Sequence, residues 1–400
     1  MLKKLLVLFF GAALLFSVTV SPGKSMAATV SWEKVVDAGF GDANNVVIYL
    51  LVSFNGYMYA GTGSSSGGML YRSSDGVTWT RVLSDLFTSD DYIIFPLLAD
   101  DNRLYVATAN SAQGAKIFSS SDGSSFTQIN ENGFGSANNN RIWGSAIING
   151  SLYAGSDNTV DGGKVWLYSG SGTGWTQKNT SGFAVAGNNY ITGMEAFDGY
   201  LYAGVQSSTG AGSLWRYNGT SWGQVGGDGL GETDNEGIYM FLREKFNGYI
   251  YVGSFNHVDG ASIYRSQDGA TWEKFGTTGL GESGNVLVIP RTLSSDKIYF
   301  GAENLNGLKV FQSDGSSVEA ISDYGFGEPS NIFTDGGIIF NGYLYVSTQN
   351  QLYIDSLGKG QVIEPTYRNS YGGQIWRTPI VLPQTGENTA LANYVFDLLI

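Results

Sequence analysis

Asn55-Gly56-Tyr57-Met58-Tyr59-Ala60-Gly61 is the stretch of sequence that decides the fold. Its second tyrosine opens a series of equivalent tyrosines: Tyr59, Tyr105, Tyr153, Tyr202, Tyr251, Tyr299 and Tyr345. The spacings between them are 46, 48, 49, 49, 48 and 46 residues. A steady period of this length is typical of a repeat protein in which each copy is one supersecondary unit.

Each copy of the repeat can be divided into four short strands. An apolar run such as 46–54 ends in an Asn-Gly or Asp-Gly turn, the usual signature of a β-hairpin, and the tyrosine strand follows. A Gly/Ser loop leads to a third strand such as 69–72, and the turn Ser74-Asp75-Gly76 leads to a fourth strand that opens with Trp79. The repeat therefore predicts an all-β protein.

The two ends of the repeat region complement each other. The last copy has a third strand at 375–377 but no fourth strand after it, while Ser31-Trp32-Glu33-Lys34-Val35 matches the fourth strand Thr271-Trp272-Glu273-Lys274-Phe275. A ring that borrows its last strand from the N-terminus removes its open sheet edges, which an open solenoid would have no reason to do. The sequence thus predicts a seven-bladed β-propeller over residues 28–380, with four-stranded blades and the N-terminal strand completing the last one.

The turn before the fourth strand carries a family resemblance. Ser73-Ser74-Asp75-Gly76-Val77-Thr78-Trp79 resembles the Asp-box (BNR) repeat, S-x-D-x-G-x-T-W, of sialidase-like propellers, with one residue fewer between Asp and Gly. The resemblance implies the propeller architecture over residues 29–380, and because many non-catalytic secreted propellers share it, it specifies fold rather than activity. We expect the aspartates of these turns to be structural: Asp75, Asp122, Asp268 and Asp314.

The N-terminus predicts export. Residues 1–27 have a charged start at Lys3 and Lys4, an apolar run over 5–20 and a small-residue cleavage site, Ser25-Met26-Ala27. These are the parts of a signal peptide, and the alternative of a membrane anchor is disfavoured because the run is short for spanning.

The C-terminal segment, residues 381–400, contains a sorting-like motif: Leu382, Pro383, Gln384, Thr385 and Gly386. The motif resembles the LPxTG signal that sortases cleave in Gram-positive-type bacteria, although the tail that follows is short and lacks Lys and Arg. Either the natural chain is longer or the match is a coincidence, and its position near the end of an exported chain favours a signal. We expect a bacterial protein that is secreted or attached to the cell wall by sortase.

Composition excludes several classes of function. The net charge of −13 argues against nucleic acid or an anionic membrane as a partner, because both require a basic face. The chain has no cysteine, and His257 is its only histidine, so thiolate chemistry, a Ser–His triad and a zinc site are disfavoured. We expect a monomer without a metal or cofactor.

The predicted channel-lining strands carry charged residues. Arg243 and Arg291 share one repeat position, and Glu195 and Glu244 share the next. A glutamate pair beside arginines could perform acid–base chemistry on a glycoside, and the alternative is a solvated channel wall with internal ion pairs. No arginine triad of the kind that sialidases use can be assembled from the sequence.

The loops that precede the first strands repeat the pattern of Gly39-Phe40-Gly41-Asp42. They contribute a set of acidic residues that we predict to form a negative ligand-binding face around the channel: Asp42, Asp91, Glu232, Glu282 and Glu328. The amide residues that end these loops, such as Asn45, are expected to cap turns rather than contact a ligand.

Two functions from different classes remain open. The first is a non-catalytic binding or adhesion propeller outside the cell, with a glycan or protein ligand at the channel face; the second is a sialidase-like glycoside hydrolase or lyase using Glu195 or Glu244. Convergence of the inner-strand Glu and Arg side chains in one pocket would discriminate between them. A purely structural role, and a functional or inert role for the long loop of the last blade between Thr348 and Gly372, also stay open.

Overall fold

The computed structural model describes residues 30–82, 86–350 and 372–380. The predicted signal peptide, the LPxTG-like motif and nearly all of the long loop in the last copy lie outside the described residues. The chain divides into a unit of Met1–Val30 and a unit of Ser31–Ile400, and every described strand belongs to the second.

The strands form groups of four in which neighbours in the chain pair antiparallel. In the first half of the chain the strands are β1 (Glu33–Val36); β2 (Val47–Phe54), β3 (Tyr57–Gly63), β4 (Leu70–Ser73), β5 (Thr80–Val82); β6 (Ile93–Ala99), β7 (Leu104–Ala109), β8 (Ile117–Ser120), β9 (Thr127–Gln128); and β10 (Arg141–Ile148), β11 (Ser151–Asp157), β12 (Lys164–Tyr168), β13 (Trp175–Gln177).

The second half continues with the same four-strand grouping. Its strands are β14 (Asn188–Phe197), β15 (Tyr200–Ser207), β16 (Ser213–Tyr217), β17 (Trp222–Val225); β18 (Gly237–Tyr239), β19 (Ile250–Phe255), β20 (Ile263–Ser266), β21 (Glu273–Phe275); β22 (Asn285–Leu293), β23 (Ile298–Asn304), β24 (Lys309–Ser313), β25 (Val318–Ala320); and β26 (Gly337–Phe340), β27 (Tyr343–Ser347), β28 (Ile375–Pro379).

Helical structure among the described residues is confined to four-residue turns before the first strands: Ala38–Gly41, Asn132–Gly135, Ser181–Ala184, Asp228–Gly231, Thr278–Gly281 and Tyr324–Gly327. In each turn a Gly and the Phe or Leu after it adopt positive φ, as at Gly39 and Phe40. The apolar side chain then packs on the neighbouring strands; Phe40, for example, stacks on Tyr71 with ring centres 4.0 Å apart.

Strand pairing joins neighbouring groups through single residue pairs. Gly63 of β3 pairs with Ile93 of β6, and Ala109 of β7 pairs with Arg141 of β10, so three groups share one twelve-stranded sheet. The groups from β14 to β25 form a second such sheet, and none of the sheets closes on itself within the described ranges. The buried apolar residues lie between successive groups, which is the core arrangement of a propeller. The predicted all-β propeller architecture is confirmed.

The N-terminal strand pairs with the C-terminal end of the propeller. Strand β1 lies antiparallel to β28, with Glu33 opposite Arg377 and Lys34 opposite Trp376, in a four-stranded sheet ordered β1-β28-β27-β26. The indole Nε1 of Trp32 donates to the carbonyl oxygen of Ile321 at 2.8 Å, which joins β1 to the preceding group. Strand β1 thus occupies the place of a fourth strand in the last group.

The Ser-Asp-Gly turns have the structural role that the sequence predicts. The Asp75 carboxylate accepts hydrogen bonds from the backbone N–H groups of Val77 and Thr78, at 2.8 and 2.6 Å. These bonds hold the pKa of Asp75 well below its usual range. Gly76 has a φ of 76°, and a Cβ there would collide with the hydroxyl of Tyr345, so the turn requires glycine.

Candidate functional site

The first strands of the four-strand groups surround an axial cavity of about 360 Å³. Its wall includes all four charged residues that the sequence analysis placed on the channel-lining strands and considered for acid–base chemistry: Glu195, Glu244, Arg243 and Arg291. It also includes Asp335, which sequence reasoning missed, and the aromatic residues Trp143 and Phe241. The structure therefore brings the predicted inner-strand Glu and Arg residues together in one place.

Glu195 and Arg243 form one charged pair of the axial cavity. The Arg243 Nε lies 3.7 Å from the Glu195 Oε1, and the two side chains are 44% and 7% exposed respectively. Burial raises the pKa of Glu195 to about 8, against the opposing effect of Arg243. Arg243 is also fixed by a contact that does not involve Glu195, because its Nη2 donates a hydrogen bond to the carbonyl oxygen of Leu97 at 2.7 Å.

Arg291 and Asp335 form the second charged pair, deeper in the wall. Their side chains are 5% and 1% exposed, and the Arg291 Nη2 lies 3.8 Å from the Asp335 Oδ1. Arg291 donates to the carbonyl oxygen of Thr334. Its Nε and Nη1, and both carboxylate oxygens of Asp335, have no hydrogen-bond partner among the described residues. Such atoms are unusual in a folded core, so the two residues form a buried, unsatisfied polar pair among those that line the cavity.

Burial also shifts the ionisation of this pair. The pKa of Arg291 falls to about 10 and that of Asp335 rises to about 6, because both groups are removed from water. The pKa of nearby Glu303 rises to about 8, chiefly through burial and further through the charge of Asp335.

An aromatic wall adjoins the charged pairs. The ring centres of Trp143 and Phe241 are 6.4 Å apart, and the ring of Phe95 lies 6.1 Å from that of Trp143. The Arg291 guanidinium lies 5.2 Å from the centre of the Phe241 ring, a cation–π distance. Charged and aromatic surfaces are therefore neighbours in the axial cavity.

Asp335 occupies a repeat position that four of the other six copies fill with aromatic side chains. It lies ten residues before Tyr345, and the same offset from the other tyrosines of the series gives Tyr49, Phe95, Trp143 and Phe241, with Thr192 and Ile289 in the remaining two copies. A carboxylate at this position is the sequence signal that could have identified Asp335.

Three of the acidic loop residues predicted to bind a ligand are paired with lysines. Glu282 meets the Nζ of Lys309 at 2.6 Å, and Glu328 meets that of Lys34 at 2.7 Å. Glu232 forms an ion pair with Lys274. The expected negative potential of this face is thus largely neutralised by lysines on neighbouring strands.

The other two acidic loop residues differ in exposure. Asp42 is part-exposed and accepts hydrogen bonds from Asn44 within its own loop. Asp91 is fully buried, and its carboxylate meets the Lys116 Nζ at 2.7 Å and the Asn110 Nδ2 at 2.9 Å. This enclosure argues against a ligand contact at Asp91.

The amide residues that end the loops act as caps. The Nδ2 of Asn45 donates to the carbonyl oxygen of Gly39 at 2.9 Å. The same bond to the loop glycine is made by Asn139, Asn235, Asn285 and Asn331. The prediction that these residues cap turns is confirmed at these positions.

The acidic loops and the axial cavity lie at opposite ends of the inner strands. Glu282 precedes β22, which begins at Asn285, whereas Arg291 lies near its end. The six steps along the chain from Asn285 to Arg291 span ~20 Å of extended strand. The cavity wall therefore lies nearer to the hairpin turns than to the acidic loops, which the sequence analysis predicted to form the binding face.

The described residues hold no cluster of three or more His, Cys, Asp or Glu side chains suited to a metal ion. Within the same ranges, no helix has the length and apolarity needed to cross a membrane.

Comparison with known proteins identifies similar folds. The chain resembles catalytically inactive virginiamycin B lyase from Staphylococcus aureus with quinupristin, at 9% identity and a TM-score of 0.59, over 88% of this chain and 100% of that chain. It also resembles the extracellular domain of a putative one-component system from B. thetaiotaomicron, at 12% identity and a TM-score of 0.51, over 87% of this chain and 40% of that chain. At these identities the likeness is one of fold alone.

The phage phi92 endosialidase matches at 11% identity and a TM-score of 0.45, over 93% of this chain and 72% of that chain. A search of curated proteins finds no match. The profile of the DUF6242 beta propeller domain matches residues 26–278, more than half of the chain, and the chain therefore belongs to the DUF6242 beta propeller family.

Proposed function

We propose that this protein is an exported, seven-bladed propeller that binds a ligand in its axial cavity without transforming it. The observation that carries the proposal is the convergence of Arg243, Arg291 and Asp335 with the rings of Trp143 and Phe241 around one cavity. A cavity of about 360 Å³ is at the lower end of the ~300–1,000 Å³ typical of small-molecule sites. Of the ligand classes that the sequence left open, this volume favours one unit of a glycan over the broad surface of a protein.

The count of seven blades and the closed ring are part of this proposal. Two contacts support closure: the pairing of β1 with β28, and an isolated bridge between Val47 and Gln349. That bridge joins the first and last groups as the pair of Gly63 and Ile93 joins the first and second. The Ser-Asp-Gly turns support a relation to Asp-box propellers.

Export and cell-wall attachment rest on sequence motifs. Residues 1–27 are the proposed signal peptide, and Leu382 to Gly386 the proposed sortase motif. Both lie outside the described residues. An exported binding propeller held at the bacterial surface would present its axial cavity to ligands in the medium.

A glycan array tests the proposed function. The mature protein is compared with Ser53→Trp, because Ser53 is exposed and lies on the cavity wall, where an indole would obstruct entry. Asp198→Asn is the matched control, since four other hairpin turns already carry Asn at that position. We expect binding by wild type and the control and its loss in Ser53→Trp; equal binding by all three would place the ligand elsewhere and refute the proposal.

A second candidate function, glycoside hydrolysis, is favoured by the convergence of the inner-strand Glu and Arg residues on one cavity, as an active site requires, and by the chemistry of Glu195. Its raised pKa of about 8 keeps it largely protonated near neutral pH, as a general acid requires, and Glu244 supplies a second carboxylate in the same cavity. Against this, the cavity lining holds two arginines, Arg243 and Arg291, rather than an arginine triad of the kind that sialidases use. Turnover of sialosides or aryl glycosides that Glu195→Gln or Glu244→Gln abolishes would establish hydrolysis and exclude the binding-only proposal.

A further inference from the structure

We infer, on the basis of the proposed function, that the cavity ligand is an uncharged, hydroxyl-rich molecule such as a neutral monosaccharide unit. Two adjacent hydroxyl groups of this ligand form hydrogen bonds with Arg291 and Asp335. Arg291 has two nitrogens, Nε and Nη1, without an acceptor, and Asp335 has two oxygens without a donor; all four atoms are buried, counted over the described residues, so a ligand would have to replace the packing around them to meet them. Both side chains are more than nine-tenths buried and belong to the cavity wall.

Hydroxyl groups match this pair better than charged groups do. A hydroxyl both donates and accepts, so two adjacent hydroxyls can donate to Asp335 while they accept from Arg291. A ligand carboxylate would accept from Arg291 but meet the like charge of Asp335, and an ammonium group would have the reverse conflict with Arg291. The pair therefore selects for a group that donates and accepts without carrying charge.

The formal charge of the axial cavity agrees with a neutral ligand. Arg243 and Arg291 contribute two positive charges, and Glu244 and Asp335 two negative charges. The remaining acid, Glu195, is largely protonated near neutral pH because burial raises its pKa to about 8. The charges balance, so the cavity as a whole has no electrostatic preference for an anion or a cation.

The aromatic wall supplies the second half of sugar recognition. A pyranose has one face of C–H groups that can lie on an aromatic ring while its hydroxyls point sideways to polar partners. Phe241 lies beside Arg291, with the guanidinium 5.2 Å from the ring centre, and Trp143 is its aromatic neighbour. A guanidinium already covers one face of each ring, that of Arg291 on Phe241 and that of Arg141 on Trp143, so the inference requires the sugar to stack on the other face of one ring.

Binding of defined glycosides tests the inference. The mature protein is titrated with the methyl glycosides of glucose, galactose, mannose, xylose and N-acetylglucosamine, and with the anionic glucuronic and N-acetylneuraminic acid glycosides. Calorimetry measures affinity, and a change in tryptophan fluorescence is assigned to Trp143, one of nine tryptophans, only where a Trp143→Phe variant lacks it. We expect at least one neutral glycoside to bind, each anionic probe to bind at least ~10-fold more weakly, and Asp335→Asn to weaken neutral binding at least ~10-fold, or ~1.4 kcal/mol.

Controls separate the ligand inference from the proposed function. If Asp335→Asn does not fold, Ser53→Trp takes its place as the test variant, because it obstructs the cavity and leaves Arg291 and Asp335 unchanged. The control Asp198→Asn should bind as wild type does. Tighter binding of an anionic probe, lost in Ser53→Trp, overturns the neutral-ligand inference but keeps the binding function. Absence of binding by all neutral glycosides also overturns the inference, whereas binding that Ser53→Trp leaves unchanged overturns the proposed function itself.

Discussion

Replacing Glu195 with Gln should remove a pH-dependent loss of stability. Burial raises the pKa of Glu195 from its ordinary 4.5 to about 8, so the folded protein holds this proton more tightly than the unfolded chain does. The associated stability is fully present below pH 4.5 and is lost as the pH rises through 8. Glutamine resembles the protonated acid in shape and stays neutral, so the variant should not show that loss.

The size of the effect follows from the two pKa values. At ~1.36 kcal/mol for each pH unit, the interval from 4.5 to about 8 corresponds to at most ~5 kcal/mol, of which ~3 kcal/mol is lost by pH 7. The variant loses the ion pair between residue 195 and Arg243. This loss should cost little stability, because Arg243 keeps its hydrogen bond to the carbonyl oxygen of Leu97. The variant should therefore exceed wild type in stability at pH 9.

Urea unfolding of both proteins at pH 4.5, 7 and 9 provides the measurement. The difference between their free energies of unfolding cancels the titration of all other groups, and the comparison at pH 4.5 serves as the internal control. We expect a difference near zero at pH 4.5 that grows toward pH 9 in favour of Glu195→Gln. A difference independent of pH, or a variant that is less stable at pH 9, would refute the reasoning about burial.

Three further predictions concern packing, closure and export. Trp222→Phe should cost ~1 kcal/mol more than Trp272→Phe in urea unfolding, because the Trp222 indole donates to the Lys178 carbonyl at 2.9 Å, whereas that of Trp272 has no acceptor in the described residues; equal costs would contradict this. Deletion of residues 29–36 removes β1 and should cause aggregation or loss of cooperative unfolding, and an unchanged melting curve would contradict closure. Mass spectrometry of the exported protein should place its N-terminus within a residue or two of Ala28, and retention of Met1 would exclude signal cleavage.

The architecture could be predicted because it is encoded locally in each repeat. The Asn-Gly turns and the Ser-Asp-Gly turns have backbone requirements that few residues meet, and Gly76 with its positive φ is an example. The place of β1 could be predicted because the match of Trp32 to Trp272 is a feature of the repeat.

The site was harder to predict because its determinants are distant in sequence. The lysine that pairs with Glu328 is Lys34, 294 residues away, so no local pattern showed that the acidic loops are neutralised. Asp335 lies just before the short strand β26, where two glycines interrupt the apolar pattern that marks first strands elsewhere. Burial, which decides the ionisation of Glu195, is a property of the assembled propeller.

A crystal structure of the mature protein with its best-binding methyl glycoside tests the central claim most directly. We predict the sugar in the axial cavity, with neighbouring hydroxyls on Arg291 and Asp335 and one face against Trp143 or Phe241. A sugar bound instead at the opposite end of the inner strands, on the loops that carry Glu232 and Glu282, would contradict the assignment of the axial cavity as the binding site.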